Sequence, residues 1–262
     1  MSDELLPPQK SPSTLTAFLT AVQFLLVSPA FIKRPFSARE LGAAVGLYPL
    51  VGLILGGILL AADYFLALFM PPLLRTALIL AVWVMLTGAL HLDGFLDACD
   101  GLLGGYTPES RLGIMRDEHL GAFALAGGVL LLLIKFSALS AITPIASALL
   151  LAPVLGRWAM AIALVAFPYA RPQGLGRDVK DNTTWRQALL ATLFALLISL
   201  AVAWYWTEWR VLLAWVVAAL VTWAGARYTL RRIPGLTGDI YGALNELIEM
   251  AVLLVLASLS LH

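Results

Sequence analysis

The stretch HLDGFLDACDG, residues 91–101, sets three aspartates, Asp93, Asp97 and Asp100, at i, i+4 and i+7. On a helix those positions share one face, so the carboxylates converge. Like charges held that close repel, and an apolar neighbourhood adds a desolvation penalty. A cation relieves both. Three carboxylates with neither a thiolate nor a histidine cluster suit a hard ion such as Mg²⁺, which keeps part of its water shell and shares substrate phosphate oxygens. Gly94 and Gly101 beside the acids let a bulky phosphate approach the backbone. The plainer alternative is a solvated helix end. That reading sits poorly beside LLRTALILAVWVMLTGAL, one of the most apolar stretches of the chain, and among so few other acids.

A second acidic group lies in PGLTGDIYGALNELIEM, residues 234–250. Asp239, Glu246 and Glu249 recur at i, i+7 and i+10, again one helical face. Glu246 and Glu249 fall in or beside the last apolar run, where an unpaired charge costs about 2.5–3.5 kcal/mol on insertion scales. They need partners. Salt bridges to Arg231 or Arg232 would supply them. The functional alternative is a second wall of one metal site, with Asp93, Asp97, Asp100, Asp239, Glu246 and Glu249 as its ligand set.

Basic loops separate the two acidic groups. ESRLGIMRDEHLGAF, residues 109–123, offers Arg111 and Arg116, and YARPQGLGRDVKDNT, residues 169–183, offers Arg171, Arg177 and Lys180. Arginine matches phosphate oxygens bidentately, and glycine-bearing turns expose N–H groups to anions. Such loops also carry basic residues for topology alone. We favour Arg111, Arg116 and Lys180 as phosphate contacts, with Arg177 beside them. Arg157, inside an apolar run, is expected to point into the bundle toward an anion. The combination suits chemistry on a phosphate or diphosphate, where positioning and charge neutralisation do most of the catalysis. Asp97, Asp100 and His91 are the candidate proton acceptors, although a lone histidine at a span end is more often a structural hydrogen-bonder.

The elements that must carry these residues follow from composition. Of 262 residues 61% are apolar and 13% charged, against roughly 25% charged in soluble domains. Mean hydropathy is +0.89. Several windows run about 20 residues with one charge or none, enough to cross roughly 30 Å of hydrocarbon as helices. The chain therefore reads as an all-α, polytopic helical membrane bundle. Seven spans are expected, near residues 41–69, 73–92, 120–142, 145–167, 187–206, 211–226 and 242–261. Residues 14–32, interrupted by Ser28-Pro29, read as an interfacial or re-entrant helix. Residues 1–13 read as a disordered tail, with no cleaved signal. Residues 14–262 then form a single membrane domain whose active site lies on loops 91–119, 168–186 and 231–249.

If those spans alternate, 13 of the 17 Lys and Arg residues fall on one side, which is then the cytoplasm. The acidic stretch lies at that face. Glycines 42, 46, 52 and 56 form small-xxx-small patterns that serve helix packing, within the chain or between chains. The tryptophans of WYWTEW suit the opposite interface as an aromatic belt. The single cysteine, Cys99, excludes an internal disulfide. The net charge of +1 and the lack of any basic tract give no sign of nucleic-acid binding.

TGALHLDGFLDACDGLLGG, RLGIMRDEHLGAF, PYARPQGLG and GLTGDIYGALNELIE, in this order between residues 87 and 249, resemble the cobalamin synthase (adenosylcobinamide-GDP ribazoletransferase) family. The resemblance implies attack on adenosylcobinamide-GDP by a ribosyl hydroxyl of α-ribazole or its 5′-phosphate. GMP would leave, and adenosylcobalamin or its 5′-phosphate would remain. It further implies a bacterial inner-membrane protein that needs Mg²⁺. The family's acidic motifs fall on Asp93, Asp97 and Asp100 and on Asp239, Glu246 and Glu249. CDP-alcohol phosphotransferases and two-motif prenyltransferases use the same carboxylate physics, but GLTGDIYGALNE argues against both. A cation transporter would scatter ionisable residues near the midplane, whereas here only Lys135 and Arg157 lie deep.

Overall fold

Long apolar runs can satisfy their backbone only by coiling, and the computed structural model is helical accordingly. It describes residues 12–206 and 208–258, with no strand among them. The helices are α1 (Thr14–Leu25), α2 (Ala38–Ala44), α3 (Tyr48–Leu66), α4 (Pro72–Leu86), α5 (Leu90–Cys99), α6 (Pro108–Ile114), α7 (Ala122–Ala141), α8 (Ala146–Ala166), α9 (Leu175–Asp181), α10 (Trp185–Trp206), α11 (Arg210–Leu230) and α12 (Gly238–Ser258). A 3₁₀ turn, Val45–Leu47, fuses α2 to α3, and a π-helical turn, Asp100–Gly104, extends α5. Residues 1–11 of the expected tail and 259–261 of the expected last span lie outside the described residues.

Six helices, counting α2–α3 as one, are long and apolar enough to cross a membrane, and a seventh crossing is available if α4 and α5 count as one broken span. The expected continuous span over 73–92 is corrected here. Helix α4 stops at Leu86, and α5 leaves it at 89°. The break is a pair of left-handed residues, Gly88 (φ +58°) and Ala89 (φ +57°), which no right-handed helix can contain. The Val27 N–H caps the end of α4 by donating to the Leu86 carbonyl at 2.8 Å. Helix α12 starts at Gly238 rather than 242, because the Thr237 hydroxyl accepts from the Ile240 N–H and begins the helix there. The acidic residue Asp239 thus sits in its first turn. Helix α1 has 12 residues, about 18 Å at helical rise, too short to cross.

Helix α8 forms the axis of the bundle, with 89% of its apolar window buried, while α10 and α11 at 22% and 28% form the rim. The small-residue face of α3 is used within the chain. A Cβ on Gly52 would stand 2.6 Å from the Pro153 carbonyl oxygen, and one on Gly56 2.5 Å from that of Leu149. On the side away from the acidic stretch the stray cations are locally paired. Arg75 meets Asp63 at 3.1 Å, and Arg210 meets Glu208 at 2.5 Å. Trp204, Tyr205 and Trp209 are exposed there, as an aromatic belt requires.

Candidate active site

The site is made where α5 crosses α12. Gly94 permits the approach, since a Cβ there would lie 2.9 Å from the Asp239 carbonyl oxygen. The crossing brings Asp97 within electrostatic reach of Asp93 and Asp239. Two loops then tie together. The Leu236 N–H donates to the Pro168 carbonyl and the Ala170 N–H to the Leu236 carbonyl, both at 2.8 Å. That short parallel pairing carries Arg171 to Asp239, at 2.7 Å. Thr237 also donates to the Asp239 carboxylate, at 3.2 Å.

Two cavities open beside this crossing. One, of about 440 Å³, is walled by Phe24, Tyr48, Met160, Tyr169 and Tyr241, with His91, Arg171 and Asp239 at its polar edge. The other, of about 320 Å³, is lined by Asp97, Asp117, Glu118 and His119. Asp93 and Arg116 border both. The first is largely apolar and the second charged, so this pair stands at the boundary between two chemical environments. Burial pushes the Tyr169 hydroxyl above its ordinary range, and Tyr169 stacks on Tyr241 with ring centroids 6.2 Å apart.

Other expected site residues have different partners. Asp100 accepts from the Gly121 N–H at 2.6 Å and the Ala124 N–H at 2.8 Å, anchoring the start of α7. Glu246 and Glu249 are not brought to the Asp93–Asp97 group. Lys135 of α7 donates to both, at 2.8 and 2.7 Å, and Arg157 pairs with Glu249. The anion that Arg157 meets inside the bundle is thus Glu249, and Arg157 lines neither cavity. Neither Arg231 nor Arg232 makes the pairs considered for these glutamates; Lys135 and Arg157 do. The cluster is closed by Asn245, which donates to Glu249 at 3.0 Å. Two cations facing two anions make burial tolerable. His91 is fully enclosed between this cluster and the first cavity, and its Nε2 has no partner.

The basic loops also divide. Arg116 and Arg171 face the first cavity. Arg111 donates instead to the Arg232 carbonyl at 3.3 Å. Arg177 pairs with Asp181 one turn along at 2.8 Å. Lys180 donates to the carbonyls of Leu164 and Val165, at 2.5 and 3.2 Å, and so caps α8. Burial there lowers the Lys180 ammonium below its ordinary range. Arg171 and Lys135 were visible in the sequence as a loop cation and a deep cation without a role. Charge balance against two membrane-embedded glutamates is the signal that could have found Lys135.

Among the described residues no three His, Cys, Asp or Glu side chains are already gathered as a metal-binding cluster. The chemistry still fits Mg²⁺. That ion commonly takes one or two carboxylates and completes its octahedron with waters and substrate phosphate oxygens. Asp93 and Asp97 face one cavity together, with Asp239 close behind, which is a carboxylate set of that kind.

The profile of one protein family, described as cobalamin-5-phosphate synthase, matches residues 17–257. The chain is 39% identical to an adenosylcobinamide-GDP ribazoletransferase of Desulfitobacterium hafniense (strain Y51) over 240 residues, 89% of this chain and 93% of that protein. It is 42% identical to the protein of that name from Pseudomonas putida (strain GB-1), over 92% of this chain and 98% of that one. Identity is 40% to the corresponding Pseudomonas aeruginosa protein (strain PAO1), over 93% of this chain and 98% of that one. No solved structure matches the chain.

Proposed function

Because the chain belongs to the cobalamin-5-phosphate synthase family, we propose that it is a transferase joining ribazole to cobinamide late in cobalamin synthesis. The donor is adenosylcobinamide-GDP, the acceptor α-ribazole or its 5′-phosphate, and the reaction is Mg²⁺-dependent. One observation carries this reading. Asp93 and Arg116 stand where an apolar, aromatic cavity meets an acidic one, which suits attack on a diphosphate by a nucleoside whose base is apolar.

Asp93 would hold Mg²⁺ with Asp239 in support, which leaves Asp97 free as a base. When bound, the ion neutralises diphosphate charge and so stabilises the leaving phosphate. Arg116 and Arg171 orient the phosphates from the rim. The attacking ribosyl oxygen bonds to the phosphorus that carries the cobinamide. The bond from that phosphorus to the bridging oxygen breaks, and GMP departs with both electrons of that bond. Asp97, partly buried and facing the acidic cavity, accepts the hydroxyl proton. Asp100 is less suited to that task because α7 holds both its oxygens. The side rich in Lys and Arg supports a site at the cytoplasmic face of a bacterial inner membrane.

The test is GMP release by the purified protein in lipid, supplied with adenosylcobinamide-GDP, α-ribazole 5′-phosphate and Mg²⁺. Release that needs Mg²⁺, vanishes in Asp97→Asn and yields a cobalamin by mass is expected. A folded sample that releases no GMP rules the reading out and directs the search to CDP-alcohols and prenyl diphosphates.

A further inference from the structure

The two cavities differ in what they can recognise, and that difference has a consequence for how the substrates are seated. The lining of the larger one includes Phe24, Met160, Leu164 and Val179, whose side chains offer no hydrogen-bond partner. A guanine seated against these four side chains would leave the donors and acceptors facing them unpaired, an arrangement that binding sites avoid. A corrin macrocycle with its amide arms exceeds 440 Å³. An apolar bicyclic base fits both the lining and the size.

Polar atoms at the edge of the same cavity lack partners within the chain. The Tyr241 hydroxyl and His91 Nε2 are both sealed from solvent and unbonded, and both residues line the cavity. Arg171 Nε is a third such atom. Buried polar groups are seldom left unpaired unless a ligand or water completes them. A ribose between the base and the Asp93–Arg116 boundary carries hydroxyls suited to the task, and a 5′-phosphate would meet Arg171 or Arg116.

We infer that the larger cavity is the nucleoside subsite, taking the dimethylbenzimidazole base of α-ribazole against Phe24, Met160 and Leu164, with Tyr241 and His91 on its ribose. This assignment rests on the proposed transferase reading. The guanosine and corrin portions of the donor stay outside the cavity, and only its diphosphate reaches Asp93 and Arg116. Specificity for the lower base is therefore set by residues of α1, α8 and α9 that no acidic motif marks.

The experiment measures kcat/KM for GMP release by the full chain in lipid nanodiscs, with acceptors carrying the dimethylbenzimidazole, the unsubstituted benzimidazole or adenine. For the wild type, kcat/KM should fall about tenfold or more when the methyl groups are removed, and further with adenine. Leu164→Phe fills space at the wall. It should raise KM for α-ribazole, invert the preference toward the unsubstituted base, and leave KM for adenosylcobinamide-GDP within about twofold. Indifference of the wild type to the methyl groups would overturn the assignment and needs no variant to fold. A Leu164→Phe protein with altered KM for the donor and unchanged base preference would overturn it as well. Absence of GMP release from the folded wild type with every acceptor would remove the transferase reading itself, a distinct result.

Discussion

The Arg171 guanidinium donates to the Asp239 carboxylate at 2.7 Å, and both residues lie at the edge of the larger cavity. The pair joins the 168–174 loop to the first turn of α12, which packs on α5 at Gly94. Asp239→Asn and Arg171→Met should each lower kcat about 10²–10³-fold, the usual effect of losing one charge aimed at a reacting centre. Arg171→Lys should recover little, because an ammonium lacks the planar fork. The double variant should be no slower than the worse single one. Steady-state kinetics on the four proteins checks this.

Lys135 has a structural task. It is 1% exposed and neutralises Glu246 and Glu249 together. Lys135→Met strands a buried carboxylate and should destabilise the protein by about 3–5 kcal/mol. Adding Glu246→Gln should recover part of that loss, since the charges then balance again. Equilibrium unfolding in mild detergent titrated with SDS reads both changes.

Asp93 and Asp100 belong to one acidic stretch but should respond oppositely to metal. Asp93→Asn is expected to raise the Mg²⁺ concentration for half-maximal rate at least tenfold while leaving stability near wild type. Asp100→Ala removes the anchor of α7 and should cost about 1–2 kcal/mol of stability, with little change in that Mg²⁺ concentration once the protein is folded. A chelator that strips Mg²⁺ from the wild type should abolish GMP release, and added Mg²⁺ should restore it.

The turn between α4 and α5 predicts opposite signs at neighbouring positions. Gly88 has φ +58°, and a Cβ there would lie 3.1 Å from Val27 Cγ2, so Gly88→Val should destabilise by about 1–2 kcal/mol. Ala89, at φ +57°, already bears a left-handed penalty, and Ala89→Gly should stabilise by up to about 1 kcal/mol. Gly88→Val should also lower kcat, because it redirects the helix that carries Asp93 and Asp97. Thermal unfolding and GMP release together test the pair.

The membrane spans were legible because hydropathy and length are one-dimensional properties. The α4–α5 break was not. Thr87, Gly88 and Ala89 contain no proline, and a left-handed alanine leaves no trace in composition. Asp93 and Asp97 could be paired from spacing because one helical turn separates them. Extending the same logic from Asp239 to Glu249 fails on distance, since ten residues of helix rise about 15 Å. A shared face is then not a shared site, and the far end of α12 meets Lys135 and Arg157 instead. Among the loop cations, sequence could not separate residues that mark topology from those that face a ligand. The pairing of Leu236 with residues 168–170 selects Arg171, and such a long-range contact has no local signature.

The ion cluster inside the bundle also constrains how the protein is made. Lys135 precedes its partner Glu249 by 114 residues and Arg157 precedes it by 92. During synthesis both cations therefore reach the bilayer long before their counter-charges leave the ribosome. Until then each of helices α7 and α8 carries an uncompensated charge, which is costly in lipid. Both are neutralised only when α12 joins them. Helix α12 thus supplies the counter-charge for two helices made before it, and a chain lacking it would hold Lys135 and Arg157 unmatched.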